Sequence, residues 1–159
     1  MRIVVWVCEG TWPACIDAAA ELAGVSDAQI VLIHVRDDSP PPPGRPSLLG
    51  AARVTRAERE NRQLTREAAE RMLVRAEARL GRPAQLRLQD GAPERIVTAA
   101  AADADYLVVG RDGDRSRLGP QSLGRHTRFV IDHAPCRVLL VWPELAPDLG
   151  TIPPPPPIR

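Results

Sequence analysis

The sequence predicts a doubly wound α/β domain of the Rossmann-like kind, a five-stranded parallel sheet with helices on both faces. Three observations carry this. The apolar runs Ile3–Cys8, Ile30–Val35, Tyr106–Val109 and Cys136–Trp142 are rich in β-branched residues, as in strands buried on both faces. Segments with helical spacing lie between the strands, so strand and helix alternate strictly. The spacing of the first strand, helix and second strand is that of a βαβ unit, which implies a right-handed crossover.

At 159 residues the chain suits one domain. Residues 1–143 form that domain, with a Pro-rich insertion at 37–55 and a Pro-rich flexible tail at 144–159. Gly10 and Thr11 end the first strand, and Thr11 is placed to cap a helix with Pro13 in its first turn. Four consecutive prolines at 40–43 favour polyproline II and forbid helix or ladder pairing. A helix from about Arg56 to Leu80 follows, with Leu64, Ala68, Met72, Ala76 and Leu80 expected on its apolar stripe. Ala84, Leu86 and Leu88 alternate with polar residues, as in a half-exposed edge strand. GAPERIV opens a short helix, the Tyr106–Val109 strand runs into a glycine-rich loop, and a further helix ends near His133. The tail, PELAPDLGTIPPPPPIR, is too poor in apolar residues to pack a core and is expected to be disordered or extended.

Composition excludes several chemistries. Every basic residue is arginine, which removes Schiff-base lysines and the phosphate lysines of Walker-type loops and kinases. A formal net charge of +1 and few aromatic residues give no footing for nucleic acid. Three cysteines without CxxC spacing suggest reduced thiols rather than a disulfide framework or zinc site. No signal peptide and no membrane-length apolar run are present, so a cytoplasmic protein is expected. GxSxG, HExxH and paired catalytic groups are missing, so no catalytic residue and no metal site is assigned, and slow ATP hydrolysis is the most the chain would offer.

The informative stretch is GRDGDRSRLGPQSLGRHTR at 110–128, with four glycines, five arginines and two aspartates after a buried strand. Ligands of doubly wound sheets bind beyond the carboxyl ends of the strands. Backbone N–H groups between Gly113 and the helix start near Gly124 would make an anion nest, with Arg111, Arg115, Arg117 and Arg125 adding charge. Alternatively, Asp112, Asp114 and the arginines neutralise one another on a solvated surface.

The last third, VVGRDGDRSRLGPQSLGRHTRFVIDHAPCRVLLVWP, together with GAPERIV at 91–97 and LIHV at 32–35, resembles the universal stress protein family. The resemblance covers about residues 2–143. It implies strand order 3-2-1-4-5 and a homodimer through the last strand, Val138 to Val141. In many members it also implies bound ATP or AMP, with Mg²⁺ only as the companion of ATP. On the family pattern Gly-x2-Gly-x9-Gly-(Ser/Thr), the candidate nucleotide residues are Gly110, Arg111, Gly113, Gly124, Arg125, His126 and Thr127. Glu9, Gly10 and Thr11 would lie at the ribose, and Val35 at the adenine. Other members bind no nucleotide and act as interaction partners. Two departures bear on the choice: ten residues rather than nine separate Gly113 from Gly124, and Arg125 stands where binders carry a hydroxyl. Arginine there would either grip phosphate through its fork or close the pocket. At the first strand, Glu9 or Cys8 takes the place of the usual aspartate, depending on where the strand ends.

Overall fold

The computed structural model describes residues 1–37 and 56–158, without the side chains of 56–64. The insertion expected at 37–55, with its prolines at 40–43, lies outside the described residues apart from Asp37.

Five parallel strands, β1 (Arg2–Trp6), β2 (Gln29–Asp37), β3 (Gln85–Gly91), β4 (Tyr106–Gly110) and β5 (Arg137–Val141), form one sheet in the order β3-β2-β1-β4-β5. The expected order is therefore observed. Strand order reverses beside β1, where the connection out of β1 runs towards β2 and β4 joins on the other side. This places the ends of β1 and β4 together at the crevice where doubly wound sheets hold ligands.

Alternation along β1 builds two cores at once. Ile3, Val5 and Val7 face α1 (Trp12–Ala23) and α2 (Arg56–Leu80), while Val4 and Trp6 face α3 (Pro93–Ala100) and α4 (Arg125–His133). Both faces of β1 are fully covered, as its unbroken apolar run requires.

Along α2 the buried positions are Ala69, Met72, Leu73, Ala76 and Leu80. The expected four-residue stripe is right at Met72, Ala76 and Leu80, but Ala68 is exposed. A 3.6-residue turn makes a strict four-residue series drift off the face, and Ala69 and Leu73 take the vacated places. β3 is a sheet edge, fastened to β2 by the Arg36 guanidinium, whose Nε and Nη2 donate to Asp90 at 2.6 Å each.

Two histidines serve the scaffold. Nδ1 of His34 donates to the Val7 carbonyl at 2.7 Å, tying β2 to the end of β1. His133 stacks on Phe129 and its Nδ1 donates to the Phe129 carbonyl at 2.8 Å.

Candidate functional site

The site is built where β1, β4 and α4 meet. β1 ends at Trp6, although Val7 still donates to Ile33, and the chain turns at once through Cys8 to Gly10. Gly10 has φ of 79°, a left-handed turn that a side chain would strain, with open space around it. Cys8 packs against the α3–α4 core, whereas Glu9 is exposed in the turn. Burial, aided by the nearby charge of Asp112, pushes the Cys8 thiol far above its ordinary pKa and keeps it neutral. At the end of β1 the thiol thus packs inward and the Glu9 carboxylate points to solvent.

Thr11 occupies the cap position of α1 but does not cap with its side chain. It is buried, and its hydroxyl donates back towards the Cys8 carbonyl at 3.5 Å. Its body packs on the end of β4: a Cβ on Gly110 would lie 2.7 Å from the Thr11 Cβ and 3.2 Å from the Cys15 sulfur. Glycine is thus required at 110 by close packing with α1. Burial also raises the Cys15 thiol to about 12.

The 111–123 loop folds on itself. The N–H of Gly113 donates to Ser122 O at 2.9 Å and that of Asp114 to Gln121 O at 2.8 Å. A 3-10 turn, Pro120–Ser122, brings the loop to the start of α4. A Cβ at Gly113 would strike the backbone of Gln121 to Leu123, so the glycine permits this close crossing. Two of the N–H groups expected in an anion nest are therefore spent within the loop.

Asp112 holds the central position. The N–H of Gly124 donates to its Oδ1 at 2.7 Å, and the Thr127 hydroxyl donates to its Oδ2 at 2.9 Å. Gly124 is the cap residue of α4 and has no side chain to satisfy the helix start. A carboxylate from twelve positions upstream caps the helix instead, at the end where the helix dipole favours negative charge. A Cβ on Gly124 would approach that carboxylate to 2.8 Å. The start of α4 is thus an anion seat, and the anion in it belongs to the chain. Asp112 remains exposed to solvent.

The other candidates are divided. Arg125 is exposed in the first turn of α4, where its charge helps to hold Glu94 ionised. His126 turns towards the β2 side, with Nδ1 donating to Glu94 at 2.6 Å and Nε2 lying 3.7 Å from Asp37. The Glu94 carboxyl lies below its usual range, first through its own backbone N–H and then through His126 and Arg125. Arg111 leaves the seat altogether: it donates to Ser122 Oγ and lies over the Trp142 ring at 4.6 Å. Val35 is buried on the α3–α4 side in the same cluster as Trp6. The buried Trp6 indole N–H has no hydrogen-bond partner among the described residues.

Gly124, Arg125, His126 and Thr127 thus gather at one helix start with Gly113 close by, and Thr11 and Gly110 form the wall beneath. Sequence reasoning placed Asp112 among the surface charges and missed its central part. Its one signal was a helix start with no side-chain acceptor of its own at the cap. Among the described residues, no group of three or more His, Cys, Asp or Glu side chains is arranged to hold a metal. No helix among them is long and apolar enough to cross a membrane.

This strand order and glycine loop define a class of α/β proteins, and the sequence pattern of the universal stress protein family matches residues 1–141. The chain belongs to the universal stress protein family. Among solved structures it is similar to a universal stress protein in complex with cAMP, at 20% identity and a TM-score of 0.61, covering 91% of this chain and 98% of that one. It is similar to UspA from Lactobacillus plantarum at 20% identity and a TM-score of 0.63, covering 89% and 97% of the two chains. A universal stress protein from Archaeoglobus fulgidus in complex with dAMP is 20% identical, with a TM-score of 0.50 and coverage of 88% and 96%. At these identities the likeness is one of fold. Among curated proteins, none matches the chain.

Proposed function

We propose that this protein is a cytoplasmic stress-response signalling protein that binds an adenine nucleotide, ATP or AMP, at the ends of β1 and β4, in competition with its own Asp112. The observation that carries the reading is the Asp112 carboxylate held by the Gly124 N–H and the Thr127 hydroxyl. Groups that seat a carboxylate also suit a phosphate oxygen. Because Asp112 is exposed, rotation of one side chain would clear the seat. The adenine would lie towards Val35, with Glu9 and Gly10 at the ribose side and Arg125 reaching the phosphates from the helix start. Relatives solved with cAMP and dAMP support an adenine ligand. Sensing would follow from the unequal affinity of nucleotide for the Asp112-in and Asp112-out loops. The protein would work as a homodimer paired through β5, an uncovered sheet edge.

A second reading is favoured by Cys8. A half-buried neutral thiol in place of a carboxylate is a poor acceptor for a ribose, which suits an interaction protein that binds no nucleotide.

Isothermal titration of ATP, AMP and cyclic AMP into nucleotide-free wild type and Asp112→Asn separates the two. Asparagine keeps an oxygen for the Gly124 N–H but removes the charge facing the phosphate. The expected result is binding to both, about tenfold tighter in the variant, since one like charge at about 4 Å near the surface is worth roughly 1–4 kcal/mol. Equal affinities would remove the competition and leave nucleotide binding. No heat from either protein would leave the interaction protein.

A further inference from the structure

Beyond β5 the chain returns over the glycine loop. The Trp142 ring lies under the Arg111 guanidinium, and Glu144 accepts from Arg115 Nε at 2.8 Å. Arg115 also reaches the Arg111 carbonyl at 3.4 Å, so this ion pair joins the tail to both ends of the first loop turn. Asp148 then caps a 3-10 turn, Leu149–Thr151, by accepting from the Gly150 N–H at 2.7 Å. That turn presents the Thr151 hydroxyl to the Leu118 N–H at 3.0 Å. The Pro153 ring follows over Gly119, whose φ of 112° keeps the loop backbone open beneath it. Nothing in the proline-rich sequence announces these contacts.

We propose that residues 142–153 are an intramolecular strap that holds the 111–123 loop, and with it Asp112, in the arrangement seen here. The two ends of the loop are held by the bonds at Asp112, Gly113 and Asp114 and by those of Arg111 and Arg128 to Ser122 and Pro120. Its middle from Arg115 to Gly119 has the tail contacts, local pairing of Asp114 with Ser116 and Arg117, and the bonds of Ser122 to the Gly119 carbonyl. Its residues are largely polar and contribute no member to either buried core cluster. A segment of that kind opens at low free-energy cost unless it is tied down. The strap supplies a cation–π contact, an exposed ion pair, a hydrogen bond and a proline packed on glycine, spread along the whole loop. The proposal rests on these contacts alone and holds whether or not the seat accepts nucleotide.

The test is amide hydrogen exchange on the full-length chain, comparing wild type with the double variant Glu144→Gln, Thr151→Val. Glu144 is exposed and Thr151 half-buried, and valine keeps the shape of threonine while removing the acceptor for Leu118 and the donor to the Asp148 carbonyl. The readout is the Gly113 and Asp114 amides, which bond within the loop and touch neither substituted residue. Exchange at both is expected to rise about tenfold, the middle of the range for losing one hydrogen bond and a weak ion pair, with the Val4 and Leu107 amides unchanged. Unchanged exchange at Gly113 and Asp114 would overturn the proposal, whether or not the Gly150 and Thr151 amides speed up, because the tail would then ride on a loop that holds itself. An equal rise across the sheet would overturn it as well, since the contacts would then act on global stability and not on the loop.

Discussion

A single carboxylate decides the character of the site. A helix start offers unpaired N–H groups and a positive dipole end, and Gly124 brings no side chain to meet them. Asp112 meets them from the far end of the loop, with Thr127 turned inward to share the charge. The loop reaches this arrangement only because Gly113 lets two backbone segments cross. Gly113→Ala is therefore expected to cost about 1–3 kcal/mol, since its Cβ would meet backbone that cannot rotate away. Thermal denaturation checks this, and an unshifted midpoint would mean that the crossing is looser than drawn. The glycines at 110, 113 and 124 were legible in the sequence because each marks a close approach. Asp112 was not, because its partners lie more than ten positions away and its neighbours Arg111, Asp114 and Arg115 make it look like one charge among many. Arg111 misled for the same reason, and its partner Trp142 belongs to another element.

Helix and strand identities were open to sequence reasoning because each long element repeats one period. Their fine placement was less so. α2 keeps its buried face through Met72, Ala76 and Leu80, but the four-residue count carried one step back lands on exposed Ala68, beside the buried Ala69. Thr11 looked like a side-chain cap, yet burial against Gly110 turns its hydroxyl back to Cys8. Pairing of β3 on β2 shows an element secured by charge at the sheet edge. Arg36 bonds directly to Asp90 and holds its carboxyl below the usual range, with Arg66 adding a weaker attraction. The group is depressed in the folded state, so its contribution is present above the unfolded pKa of about 4 and is lost as pH falls through the lower folded value. Urea unfolding of wild type and Asp90→Asn should therefore converge in stability between about pH 4 and pH 2, with wild type ahead at pH 7. Parallel curves across that range would mean that the pair contributes nothing at the edge.

At the scale of the whole molecule, the βαβ spacing foretold a parallel sheet, and the resemblance to the universal stress protein family implied its strand order, β3-β2-β1-β4-β5. What remained hidden was the return of the tail to the glycine loop. The Pro-rich tail carries almost no apolar periodicity, so its turn at Leu149–Thr151 and its hold on the loop depend on contacts that only the folded chain brings together. The glycine loop joins two parts of the molecule: Asp112 reaches the start of α4, while Arg111, Arg115 and Leu118 meet the tail. The start of α4 is an anion seat which the chain fills for itself. The most direct measurement follows the Gly124 amide by nuclear magnetic resonance while AMP is added to wild type and to Asp112→Asn. The account predicts a saturable shift of the Gly124 and Thr127 amides in both, reached at a lower concentration in the variant. Resonances that stay fixed in both proteins at saturating AMP would show that this helix start does not accept a phosphate, and the account would fail.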